Sequence, residues 1–234
     1  MADNLRVFGN TYNNAVGVKM TDTNGNEVVY TAGDGDNDID KLLTNTLTDY
    51  ESDVSMIREY AFYGNTNLAS VKLTGNVSIY GNAFRNCSGL TEFSAPHCTF
   101  AYGYAFAGVN CPLAFPSIGQ VGTEAFRSYN GTSLDFGGDG AWFGSNVFYS
   151  ASNLNILVLR RSSVMSINGT GMFSGTPFAS NGSGGTLYVP QSLISSYQSA
   201  TNWSTILGYT NNSIQAIEGS IYETQYADGT PISA

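Results

Sequence analysis

Six times between residues 61 and 173 a phenylalanine follows a small or apolar residue: Ala61-Phe62, Ala83-Phe84, Ala105-Phe106, Ala125-Phe126, Val147-Phe148 and Met172-Phe173. Successive phenylalanines are separated by 22, 22, 20, 22 and 25 residues, a period characteristic of chains built from stacked coils. A unit this short cannot bury its own apolar face, so the units must stack and share one continuous core.

Two further columns keep phase with the phenylalanine. An aliphatic residue follows it by six to eight positions at Leu68, Leu90, Leu113, Leu134 and Leu154. An apolar residue precedes it by five at Ile57, Ile79, Ala101, Val121 and Phe143, with Ile167 one step further out in the sixth copy. After the leucine, alternation as in Leu68-x-x-Val71-x-Leu73 and Leu154-x-x-Leu157-x-Leu159 has the period of a strand with one face buried. Gly64-Asn65, Gly81-Asn82, Gly103 and Gly108 place the alanine-phenylalanine step in a turn or a single helical turn. The phenylalanines then form an interior ladder at about the 4.8 Å strand spacing.

The unit I-x-x-x-A-F-x-x-x-x-x-L, clearest in residues 57–73 and 79–93, resembles the BspA-like leucine-rich repeat over about residues 50–175. The third copy (Ala101, Val109 to Leu113) and the fourth (Ser128 to Leu134) depart from it by insertion, and shortened strands and local bulges are expected there. The fold expected is therefore mainly β: a leucine-rich-repeat-like solenoid of about six repeats with a module at each end.

Residues 1–33 read as a separate β attachment module, with Asn24-Gly25 between Val16–Met20 and Val28–Tyr30 as a hairpin signal. Its T-D-T-N-G-N segment resembles the openings of tailed-bacteriophage structural proteins. Residues 34–49 form an acidic linker. Its carboxylates, starting at Asp34, do not make an EF-hand loop, since Ile39 and Asn45 stand where glycine and glutamate are needed. Residues 176–218 read as a strand-helix-strand cap: Thr186–Val189 stopped by Pro190, then Leu193, Ile194, Tyr197 and Ala200 at helical spacing, then a strand near Ile214. Trp203 reads as the plug of that cap, and 219–234 as a tail.

Residues 1–60 hold 11 acidic side chains against four basic ones, and the remainder seven against five. Nucleic acid is excluded as a partner, because binding it requires a basic stripe. No apolar stretch approaches the roughly 20 residues needed to cross a bilayer, and the opening Met-Ala-Asp-Asn-Leu-Arg-Val lacks the pattern of a secretory signal.

No catalytic, metal or cofactor-binding residue stands out. Cys87, Cys98 and Cys111 lack metal spacing and read as core thiols, and His97 has no acidic neighbour to orient it. Glu92, Glu124, Asp135 and Asp139 could pair across coils as in a glycan-cleaving site, but nothing in their spacing singles them out. Surface recognition remains. The residues after the ladder phenylalanines include Tyr63, Arg85, Arg127 and Tyr149, types enriched at binding hot spots. Lys72, Glu92 and Arg160 form a second candidate face on the strands.

These features, with the resemblances, lead to the expectation of a non-enzymatic bacteriophage virion protein, a fibre, spike or decoration subunit. Its N-terminal module would contact other virion subunits, and its solenoid a host surface glycan or protein. Fibres and spikes of that kind imply a homotrimer. The alternatives are a bacterial cell-surface adhesin with the same repeat and a polysaccharide-degrading tail protein.

Overall fold

The computed structural model describes residues 18–22, 27–30, 47–139 and 142–232. The first five coils each contribute one strand, a corner, a second strand, and then the turn that carries the ladder phenylalanine; the sixth goes from its first strand to the turn with no second strand among the described residues. The first-position strands are β3 (Leu47–Ser52), β5 (Ser70–Leu73), β7 (Glu92–Ser94), β9 (Leu113–Phe115), β11 (Ser133–Phe136) and β13 (Ile156–Leu159). The second-position strands are β4 (Met56–Ile57), β6 (Val77–Ile79), β8 (Cys98–Ala101), β10 (Gln120–Val121) and β12 (Trp142–Phe143). The latter pair in parallel as one flank, in the order β12-β10-β8-β6-β4. The first-position strands form two sheets: one ends at β7, and the next begins at β9 and runs through β11 and β13 to β14 (Thr186–Val189) and β15 (Ser213–Ala216). The chain is thus a mainly β parallel-strand solenoid, as its repeat period requires.

The six phenylalanines share one spine. Phe62, Phe84, Phe106 and Phe126 stack with ring centroids 5.1, 5.6 and 5.4 Å apart and planes within 13°. Phe148 and Phe173 continue the column at 6.2 and 5.2 Å with greater tilt. The backbone of the turn imposes this order. Each ladder amide donates to the residue before the next phenylalanine: Phe62 N to Ala83 O, Phe84 N to Ala105 O, Phe106 N to Ala125 O, Phe126 N to Val147 O, and Phe148 N to Met172 O, all within 3.2 Å. The aliphatic columns flanking the spine are equally dry, with Ile57, Ile79, Ala101, Val121 and Phe143 at most 5 % exposed.

The third and fourth copies differ from the sequence expectation. Leu113 and Leu134 do not continue the column of Leu68 and Leu90; they lie inside strands, in register with each other and with Leu157. The vacated position in the fourth copy is filled by Tyr129. A Cβ on Gly131 would lie 2.2 Å from its hydroxyl, so the ring occupies the space a side chain at that position would need. The Tyr129 hydroxyl lies 2.5 Å from Cys111 O and 2.8 Å from Ser133 O, which satisfies a fully buried polar group. The fourth copy keeps a four-residue strand in unbroken register with its neighbours. The expected irregularity falls in the third copy alone: β9 has three residues and the first-position sheet breaks between β7 and β9, and the pairing of β6 with β8, which ends at Ala101, shifts register at Val77/Ser78.

Each end carries an added element. At the start, β1 (Val18–Asp22) pairs antiparallel with β2 (Glu27–Tyr30) and with β3, so the hairpin extends the first sheet. The Asn24-Gly25 turn and acidic residues 31–46 lie outside the described residues. At the far end, helices α1 (Ile194–Ser199) and α2 (Trp203–Leu207) cover the last coil. Trp203 is fully buried there; its Nε1 donates to Met165 O at 2.7 Å and its ring packs on Phe173 and Tyr197.

Two predictions follow from this core. Phe106 touches Phe84, Phe93, Phe115 and Phe126, so Phe106→Ala is expected to destabilise the chain by about 3–5 kcal/mol in urea unfolding. Burial pushes the thiols of Cys87, Cys98 and Cys111 up to about 12. At a pH near the ordinary thiol value of about 8.5, iodoacetamide is therefore expected to spare all three in the native protein and to modify all three in denaturant. Rapid native modification would contradict the burial.

Candidate functional site

The alanine-phenylalanine turn has an unusual backbone. In the first five turns two residues, one two places before the phenylalanine and one two places after, adopt positive φ. The first set is Tyr60, Asn82, Tyr104, Glu124 and Asn146 at 53–62°; the second includes Gly64, Asn86, Gly108, Ser128 and Ser150 at 51–75°. This alternation aims every second amide along the stack, as in Gly64 N to Arg85 O and Asn86 N to Ala107 O. It also brings side chains three residues apart onto the same outward edge.

On that edge the structure assembles one continuous ridge. Tyr60 and Tyr63 meet edge-on at 5.6 Å. The guanidinium of Arg85 lies 5.8 Å from the Tyr63 ring and 5.1 Å from the Tyr104 ring, and donates to Asn82 Oδ1 at 3.1 Å. Arg127 pairs with Glu124 at 2.5 Å and lies 4.7 Å from the Tyr149 ring. A hydrogen bond to Glu124 is the main cause that raises the Tyr104 hydroxyl above its usual value. Desolvation pushes the Glu124 carboxyl up, but Arg127 and Tyr104 outweigh it and hold the group below its ordinary value. The ridge therefore runs Tyr60, Tyr63, Arg85, Tyr104, Glu124, Arg127, Tyr149.

Tyr63, Arg85, Arg127 and Tyr149 are the residues the sequence column pointed to, and the structure connects them. The sequence column misses Tyr60, Tyr104 and Glu124, which occupy the other outward position of the same turn. The signal was present as an i, i+3 recurrence: Tyr60/Tyr63, Asn82/Arg85, Glu124/Arg127 and Asn146/Tyr149. Ala107, in the same column as Arg85, is buried. The neighbouring flank adds aromatics: half-buried Tyr80 stacks on exposed Tyr102 at 4.6 Å, and Trp142 is 57 % exposed.

The strand face behaves differently. Lys72 pairs with Glu51 at 2.8 Å, both exposed, and Glu92 stands in register with Ser70. Arg160 does not share that open surface. It clamps Asp135 through Nε and Nη2 and donates to Tyr222 O and Gln225 O of the C-terminal tail, with its side chain 15 % exposed. The tail thus folds back over β11 and β13.

Among the described residues His97 and Cys98 do not form a nucleophile–base pair. His97 is exposed, and the adjacent Cys98 is buried and faces Phe100 O. Of the carboxylates considered for glycan cleavage, Asp135 is held under the tail, Asp139 accepts the Ser162 amide, and Glu124 belongs to the ridge. Among the described residues no group of acidic, histidine or cysteine side chains could hold a metal, and no helix is long and apolar enough to cross a membrane.

The coil geometry, with its stacked phenylalanines and parallel strand ladders, agrees with a family-model match in six copies, over residues 43–114 and 103–181, to the BspA type leucine-rich repeat region. The chain belongs to the BspA-type leucine-rich repeat family. Searches among curated proteins and among solved structures return no significant match. BspA-type repeats are in general non-enzymatic interaction scaffolds of surface or adhesion proteins, which directs attention to the ridge.

The ridge contributes little to stability. Its ion pair is partly buried, with Arg127 41 % and Glu124 14 % exposed, and contributes on the order of 1 kcal/mol, while each surface cation–π contact adds about 0.5–1 kcal/mol. Positive φ at a residue other than glycine or asparagine costs about 1 kcal/mol. Tyr104→Asn is accordingly expected to leave urea stability unchanged or raise it by up to about 1 kcal/mol; a loss of several kcal/mol would show that the tyrosine is structural.

Proposed function

We propose that this protein is a non-enzymatic recognition subunit whose tyrosine–arginine ridge contacts a bacterial surface glycan or protein, and that it serves as a bacteriophage virion surface protein. The observation that carries the recognition role is the residue choice at strained positions: Tyr60, Tyr104 and Glu124 hold left-handed backbone conformations that the rung hydrogen bonds need but that asparagine or glycine would adopt more easily. Such positions cluster where a surface is shaped for use. Tyrosine and arginine, held by one another before a ligand arrives, lose little conformational freedom on binding.

The virion role is supported by the T-D-T-N-G-N opening. In a virion, the hairpin of β1 and β2 would be the attachment element. Strand β2 is outermost in its sheet among the described residues, and an edge strand can pair with a partner's backbone. A homotrimer follows from the fibre-like role, and analytical ultracentrifugation of the full chain reads it directly.

Two measurements test the proposal. In a cell-binding assay with fluorescently labelled protein, Arg85→Ala combined with Tyr63→Ala is expected to weaken attachment to host cells by about tenfold or more, with the melting profile unchanged. Immunogold electron microscopy of virions from the genome that encodes the chain is expected to label the particle surface. Unlabelled particles with retained cell binding would favour a bacterial adhesin, and unchanged attachment by the double variant would remove the ridge from the account.

A further inference from the structure

The C-terminal tail is held by more than chain connectivity. Asp135 has a fully buried side chain and receives Arg160 through Nε and Nη2 at 2.8 and 2.7 Å. The same pair binds the tail backbone: Arg160 donates to Tyr222 O and Gln225 O, and Ala227 N donates to Asp135 Oδ2. The Tyr226 ring lies over the Arg160 guanidinium at 4.9 Å, and Tyr222 packs on Tyr188 and the fully buried Val158. A buried ion pair carries a large desolvation penalty, yet here it serves to fix a short strap across one face.

The strap ends in a turn closed by the Gln225–Pro231 bridge, and this turn stands where the two first-position sheets fail to join, between β7 and β9. Between the turn and strands β5 and β7 lies a groove of about 460 Å³, within the size range of small-molecule sites. Its walls come from chain segments far apart in sequence, and the strap latch holds one of them in place.

The lining has a definite chemistry. Ser70, Thr91, Ser94 and Thr230 bring hydroxyls, which both donate and accept, and Pro112 and Pro231 bring apolar ring surfaces. The ammonium of Lys72 is already neutralised by Glu51. Glu92 and Asp228 have no ion-pair partner among the described residues, so with Lys72 of the same wall paired to Glu51 the groove lining keeps a net negative charge. Asp228 Oδ1 accepts the Thr230 amide at 2.9 Å, which holds the carboxylate in the turn; hydroxyls, apolar ring surfaces and two carboxylates without an ion-pair partner together suit a polyhydroxylated ring bearing an ammonium group.

We propose that this groove binds an amino sugar, with Glu92 and Asp228 receiving the ammonium group and the serine and threonine hydroxyls engaging the ring hydroxyls. The site is separate from the ridge, so its variants leave the ridge untouched and the two proposals fail independently.

Isothermal titration calorimetry of the full chain with chitobiose and with N,N′-diacetylchitobiose tests it. Saturable binding of chitobiose is expected, with the acetylated sugar about tenfold weaker or more. The double variant Glu92→Gln/Asp228→Asn, both on surface positions, is expected to lose the preference for the free amine. In a second variant, Asp135→Leu/Arg160→Leu, release of the strap is expected to weaken chitobiose binding while circular dichroism retains the β signal. No saturable binding, equal affinity for the two sugars, or unchanged binding by the Gln/Asn variant would overturn the assignment.

Discussion

The rung-to-rung hydrogen bond from each ladder phenylalanine to the residue before the next one determines most of what this molecule is. It fixes the coil spacing at the corner, keeps consecutive rings parallel from Phe62 to Phe126, and seats the small residue beside each ring. To reach that bond, the backbone must turn its amides alternately along the axis, which places left-handed residues on both sides of the phenylalanines from Phe62 to Phe148. The same constraint that builds the core therefore dictates which side chains stand on the outer edge. Core and candidate surface are two faces of one backbone pattern.

Much of this is legible in the amino-acid order because the repeat is local. The alanine-phenylalanine period, the Ile57-type column and the cap around Trp203 each depend on spacing within one coil, and each stands where that spacing puts it. Leu113 and Leu134 mislead because a leucine within two residues of the expected phase is equally apolar inside a strand. Only the packing of Tyr129 reveals that the fourth copy has dropped a position. The outward residues Tyr60, Tyr104 and Glu124 elude a column search keyed to the residue after phenylalanine, although they recur in phase three places earlier.

The tail defeats sequence reasoning for another reason. Arg160 and its acceptors at Tyr222 and Gln225 are separated by 62 and 65 residues, and Ala227 reaches back 92 residues to Asp135. No period links them, and the tail itself holds few apolar residues. An arginine on a strand of a repeat protein reads naturally as surface. Here it is the centre of a polar cluster that no local pattern announces, and it makes the strap part of the folded body.

The two arginine environments show how the chain divides its work. Arg160 is dehydrated, geometrically fixed and fully engaged with a carboxylate and two carbonyls, so losing it would leave Asp135 buried and unpaired, a change that typically costs about 3–5 kcal/mol. Arg85 sits between two tyrosine rings with no carboxylate within ion-pairing distance among the described residues, so its charge stays available to a partner. A solenoid can separate these duties because its core runs along the axis, with the hairpin added to its first sheet and the Trp203 cap over its last coil. Side chains on the corner edge are then free to vary in chemistry, coil by coil, while the phenylalanine spine beneath them stays the same.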